Sequence, residues 1–169
     1  TSYEAGEESV LILTSSLNAG GAERQVILTG AGLRNQGWKS TIGVDRIDAQ
    51  HSGETLQSMA ESLDLNVIEF RDVNLQSDEA DELIRLHANI LSNLRPIERE
   101  RSECIIRMIM NTRPRIIHAW QDAMIYPAAI ANFIVGSNAL IGSVRSLNPD
   151  EKSILHGRKR PFLRKSLQI

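Results

Sequence analysis

The stretch Val10-Leu11-Ile12-Leu13-Thr14-Ser15-Ser16-Leu17-Asn18-Ala19-Gly20-Gly21-Ala22-Glu23-Arg24 decides the fold class of this 169-residue chain. Its first five residues form a continuous run with the length of a strand. They are apolar enough to be buried on both faces, as in a parallel sheet. From Gln25 to Gln36 the spacing turns helical, with Val26, Gly30 and Leu33 on one face and Ile27 and Ala31 beside them. A glycine pair between a buried strand and a helix start lets the backbone come close to a ligand. It also leaves the helix's first N–H groups facing outward, where an anion is held. Gly20 and Gly21 are therefore candidate binding residues. The alternative is that the glycines only make a tight strand-to-helix turn.

The first strand is expected over 10–15, the first helix over 22–36 and the second strand over 39–44, with Gly37 suited to the left-handed position that closes a helix. A polar stretch, 45–53, precedes a helix at 54–63 and a third strand at 66–70. Ser77 or Asp78 can cap a helix whose apolar stripe is Leu83, Ile84, His87, Ile90, Leu91 and Leu94. Pro96 suits the first turn of another, with Ile97, Cys104, Ile105, Met108 and Ile109 facing inward. A strand at 115–120, a helix at 122–135 stopped by Gly136, and a fifth strand at 139–145 follow. Alternating strands and helices predict a single α/β domain built on a doubly wound, Rossmann-like parallel sheet. Ligands of such sheets bind beyond the carboxyl ends of the strands. That edge collects Ser15 to Gly21, Asp45, Arg71, Trp120 to Asp122, and Arg145 to Asn148.

Composition narrows the function classes. Apolar content of 41% and charged content of 24% are those of an ordinary globular domain. No apolar run approaches the roughly 20 residues of a membrane span. The polar, acidic start carries no secretory signal and no initiating methionine, which points to a cytoplasmic protein and to an internal fragment. The single cysteine, Cys104, excludes an intrachain disulfide and sits among apolar residues at helical spacing, as a buried inert thiol would. The net charge of −2 hides an asymmetry: 18 acidic against 9 basic residues up to Glu103, then 3 against 10 from Cys104 onward. The basic excess peaks over 152–165, where Lys152, Arg158, Lys159, Arg160, Arg164 and Lys165 interleave with Ile154, Leu155, Phe162 and Leu163. That segment suits peripheral contact with anionic headgroups on the inner face of a membrane, or a solvated helix face beside a partner domain. Aromatic content of 4% offers no stacking platform for nucleic acid.

Three segments in one order carry a family resemblance: Gly20-Gly21-Ala22-Glu23 after the first strand, Gly37-Trp38 at the step into the second, and His118-Ala119-Trp120 at the end of a later one. Over roughly residues 10–147 the chain resembles the N-terminal domain of retaining glycosyltransferases of the GT-B fold, family 4 type. The resemblance implies transfer of a sugar from a nucleotide-sugar donor to a glycan or lipid-linked acceptor, as in polysaccharide biosynthesis. The nucleotide-sugar is then a substrate, and no cofactor is called for. It implies that this domain is the acceptor-side half of a GT-B architecture. The nucleotide-sugar pocket, with its paired glutamates, would lie on a C-terminal domain absent from residues 1–169. Carried over residue by residue, it places Gly20, Gly21, Ala22 and Glu23 at the cleft and His118 in a catalytic position. Trp120 is then suited to stack on a sugar ring and Arg145 to pair with an anionic acceptor group, the alternatives being ordinary packing and a structural ion pair, and Asp122 lies beside them. Relatives often have histidine where this chain has Trp120 and Arg145, so the roles of those two residues differ from the family's.

Other motifs compete. A dinucleotide-binding domain of an NAD(P)-dependent oxidoreductase would use Asp45, at the end of the second strand, as its ribose-binding acid. That fingerprint wants a third glycine in the helix's first turn, and Val26, Ile27 and Leu28 supply none. Gly32 to Ser40 mimics a phosphate-binding loop but runs from helix to strand, the wrong order. No nucleophile elbow is present, and a receiver-type domain would want acids where Thr14, Ser15 and Ser16 stand. His51, His87, His118 and His156 are scattered, so no metal site is expected. A Rossmann-like module that only docks a partner protein remains the non-enzymatic alternative.

Overall fold

The computed structural model describes residues 8–47, 55–72, 77–136 and 139–144. Five strands, β1 (Ser9–Ser16), β2 (Lys39–Arg46), β3 (Asn66–Glu69), β4 (Ile116–Trp120) and β5 (Ala139–Ser143), form one sheet in the order β3-β2-β1-β4-β5. All four pairings are parallel. The chain is thus a doubly wound, Rossmann-like α/β domain. β1 is central, which is why its residues from Ser9 to Thr14 are all buried and why its sequence lacks alternation.

Helices α1 (Gly21–Asn35) and α2 (Gln57–Ser62) lie on one face of the sheet. There Val10, Ile12, Ile42 and Val44 pack with Leu17, Val26, Ile27, Leu56 and Trp120. Helices α3 (Asp78–Leu86), α4 (Ala88–Leu91), α5 (Pro96–Thr112) and α6 (Asp122–Val135) belong to the other. There Leu11, Leu13, Ile117 and Ala119 meet Ile105, Met108, Ile109, Met124 and Ala128. Period-2 alternation on β1 and β4 thus splits the core into two layers.

Helix ends follow local chemistry. α1 closes in a Schellman arrangement: Trp38 N–H donates to Leu33 O at 3.0 Å and Gly37 N–H to Arg34 O at 2.9 Å, with Gly37 at φ 88°. Gly136, at φ 82°, stops α6 in the same region. Ser77 rather than Asp78 caps α3, its hydroxyl accepting from Ala80 N–H at 3.3 Å. Pro96 occupies the first turn of α5.

The structure revises several boundaries. The stripe from Leu83 to Leu94 is split at His87, whose Nδ1 lies 2.9 Å from Leu83 O and thereby satisfies a carbonyl at the end of α3. Strand three is one residue shorter than expected, because Phe70 begins a 3-10 turn. Ile97 does not face inward; in the first turn of α5 it is 40% exposed. Cys104 is half-buried, and that burial pushes its thiol up to about 11, so it stays protonated at neutral pH. Residues 48–53 of the expected polar stretch, Glu54 of the expected helix after it, Arg145, Asn148 and the basic segment 152–165 lie outside the described residues.

Candidate functional site

The carboxyl ends of β1 and β4 lie side by side in the sheet. A row of polar side chains links the loop after β1, the first turn of α1 and the step from β4 into α6. Ser15 donates its hydroxyl to Gln121 Oε1. Gln121 Nε2 donates to Glu23 Oε1 at 3.0 Å, and Ser16 Oγ donates to the same oxygen at 3.5 Å. Chemistry fixes the amide's orientation, since turning it over would set its oxygen against the Glu23 carboxylate. All four side chains are half-buried, within reach of a ligand. Below them, Leu17 is fully buried and its carbonyl accepts from Leu56 N–H at 2.7 Å, anchoring the loop to the stretch before α2.

The glycine pair contributes differently from what a strained turn would require. Gly20 is extended, at φ −143° and ψ 161°, and Gly21 is the first residue of α1. Neither has positive φ. A Cβ on Gly20 would collide with the Glu23 carboxylate, which folds back over it, whereas a Cβ on Gly21 would meet nothing within 4 Å. Glu23 therefore brings its own negative charge to the α1 N-terminus, where the helix dipole favours it. This alters the expectation of an open anion site: a phosphate arriving there would meet a carboxylate.

Gln121 is the residue that sequence reasoning passed over. It lies within the expected edge, between Trp120 and Asp122, but nothing in its identity marked it. In the structure it is the node of the network and stands at φ 69° and ψ 149°. Essentially only glycine populates that region, and another residue held there costs of order 1–3 kcal/mol. Its backbone N–H donates to Ser143 O at 3.0 Å, and its carbonyl accepts from Met124 and Ile125 N–H at 3.0 and 3.2 Å.

His118 and Trp120 share the α1 face of β4, as their spacing requires, with ring centroids 5.1 Å apart and planes at 41°. His118 is half-buried in mid-strand, its Nε2 2.8 Å from Ser143 Oγ. Burial lowers its pKa below the ordinary histidine value of 6.5, so the ring is neutral at pH 7. Trp120 is the other member of that face. It is 6% exposed and belongs to the core layer with Leu17 and Val26, so its ring packs rather than presenting a stacking face. Asp122 is exposed in the first turn of α6, favourably placed for that helix's dipole. Arg145 lies outside the described residues.

Two other edge residues are committed elsewhere. Asp45 lies on the opposite face of β2, where Oδ2 accepts from Arg101 Nε at 3.1 Å and Nη2 at 2.6 Å. Both side chains are largely enclosed, at 16% and 13% exposure. Arg71 pairs with the buried Glu69 at 2.9 Å. Among the described residues no group of three or more His, Cys, Asp or Glu side chains is placed to hold a metal ion, and no helix is long and apolar enough to cross a membrane.

No family model and no curated protein matches this chain.

Proposed function

We propose that this chain is the acceptor-side domain of a glycosyltransferase that moves a sugar from a nucleotide-sugar donor to a glycan or lipid-linked acceptor. The observation that carries the reading is the row Ser15, Gln121, Glu23 and Ser16 beside the glycine-opened turn. Neutral donors and acceptors with one carboxylate, half-buried at the carboxyl edge of a parallel sheet, suit a ligand rich in hydroxyls. In such a transfer the sugar passes through an oxocarbenium-like state while the nucleoside diphosphate departs. The domain's part is to orient the sugar and to present fixed dipoles to developing charge. Gly21 leaves room for close approach of the ring, Glu23 and Gln121 orient its hydroxyls, and the neutral His118 is in the state that accepts a proton. Donor phosphates fall to the second domain that the resemblance implies, and the segment 152–165 suits a peripheral position at a cytoplasmic membrane face.

The ion pair between Asp45 and Arg101 weighs against the NAD(P)-dependent alternative, because the acid that would hold a ribose already has a guanidinium on it. Calorimetric titration with UDP-glucose, GDP-mannose and NAD separates the readings. On this chain alone we expect weak heat from a nucleotide-sugar, none from NAD, and no transfer. Tight NAD binding overturns the proposal in favour of an oxidoreductase domain.

A further inference from the structure

One side of the domain ends in a surface without charge. Residues 123–144, which include all but the first residue of α6 and the whole of β5, contain no Asp, Glu, Lys, Arg or His. Phe133 on α6, Ile141 on β5 and Val144 just after it are 72%, 48% and 57% exposed. β5 is the last strand of the sheet, and it carries neither the charge nor the proline that commonly keeps an edge strand from pairing. The other edge strand, β3, has four residues and ends at Glu69, which pairs with the exposed Arg71. Gln121 N–H donates to Ser143 O, so Ser143 turns its main-chain groups toward β4. Alternation then turns the main-chain groups of Leu140 and Gly142 outward, beyond the sheet.

We infer that β5 pairs antiparallel with β5 of a second copy of this chain across a two-fold axis at Ile141, joining two five-stranded sheets into one. Three features support this occupant. The first is the hydrogen-bonding parity. With Ile141 opposite itself, Leu140 and Gly142 face each other as hydrogen-bonded pairs, so the outward groups on each side are the ones that meet. The second is the helix spacing. α6 lies over both β4 and β5, with Ala128 in the core layer of Ile117 and Ala119 and Ile125 against Gly142. The two-fold therefore sets the two α6 axes two strand spacings apart, about 10 Å, which is the separation of packed helices. Ala129 and Phe133 follow Ile125 at four-residue steps and fall on the stripe between them. The third is charge. An uncharged end meets its own copy with no like charges opposed. The segment 145–169, with seven Lys or Arg against two Asp or Glu, finds no opposite charge there. One strand and one helix flank per copy make a small interface, so the association depends on concentration.

Sedimentation velocity of the 169-residue chain from about 5 to about 500 µM tests this, a range set for micromolar association. The expected mass rises from 18.8 kDa toward twice that value. Ile141→Lys and Phe133→Glu each weaken dimerisation at least about tenfold and leave the urea midpoint unchanged, because both side chains are exposed. The register is read by cross-linking. Opposed residues of a non-hydrogen-bonded pair have Cα atoms about 4.5 Å apart, within disulfide reach. Ile141→Cys is thus expected to form a reducible dimer under copper-phenanthroline at least about tenfold faster than Leu28→Cys, which lies on α1, or than the native chain. The inference is overturned if the native chain stays monomeric, if Ile141→Lys dimerises undiminished, or if Ile141→Cys cross-links no faster than Leu28→Cys. In a monomeric native chain, a shift of the amide resonances of residues 145–169 on Ile141→Lys substitution identifies that segment as the occupant instead. No such shift leaves the edge to a different protein.

Discussion

Gly21 separates a glycine kept for a ligand from a glycine kept for the fold. The residue has no positive φ, begins α1, and would direct a Cβ into space empty to 4 Å. Replacing it with alanine thus removes no contact and creates no clash, and it reduces the freedom of the unfolded chain. The expected change in stability runs from nothing to a gain of about 1 kcal/mol. That is a rise in Tm of up to about 2–4 °C for a domain of this size. Valine fills more of the same space and is expected to leave stability within about 0.5 kcal/mol of the native value. If a sugar approaches the loop closely, Gly21→Val displaces it by the width of an isopropyl group. A misplacement of that order costs about 100-fold in transfer. Release of nucleoside diphosphate by the protein containing this domain measures transfer, and urea or thermal melting of the same samples measures folding. A valine variant that is stable and inactive is the expected outcome. One destabilised by more than about 2 kcal/mol refutes the claim that the space is open, and one both stable and fully active removes the loop from the site.

Gly43 is the structural counterpart. A Cβ there lies 2.8 Å from both Leu13 Cδ2 and Met108 Sδ, so Gly43→Ala is expected to cost about 1–3 kcal/mol. Urea melts of Gly43→Ala, Met108→Ala and the double variant should show the double to be less destabilised than the sum of the singles. Asp45→Ala leaves the Arg101 guanidinium enclosed without its carboxylate, at an expected cost of about 3 kcal/mol. That is the low end for a broken buried pair, because both side chains keep some solvent. If Asp45 serves the fold rather than a nucleotide, nucleotide-sugar heats per folded molecule are unchanged. His118 gives a pH signature. With its folded pKa below the unfolded value of about 6.5, the unfolded chain takes up the proton first as pH falls. Stability is therefore fullest above about pH 6.5 and declines with acid through the window below it; melts from pH 8 to 5 should slope less steeply in His118→Gln.

Local residue pattern was enough to set the layers of this protein. The unbroken apolar run from Val10 to Leu13 needs cover on both sides, so it required a central strand between helices. The glycine after Gln36 and the one after Val135 ended α1 and α6 where the structure ends them, since each supplies the left-handed residue a helix stop uses. Pro96 and Ser77 marked helix starts for equally local reasons. Spacing alone put His118 and Trp120 on one face of β4. What those side chains do follows from partners distant in sequence, which set their burial. Trp120 became core rather than platform once Leu17 and Val26 closed over it from another element. Asp45 was spent on Arg101, which is 56 residues away. Gln121 had no signature of its own. Its position as the node between Ser15 and Glu23, 106 and 98 residues earlier, exists only where β1 and β4 run side by side, and its backbone strain is held by the strands and helix that meet there.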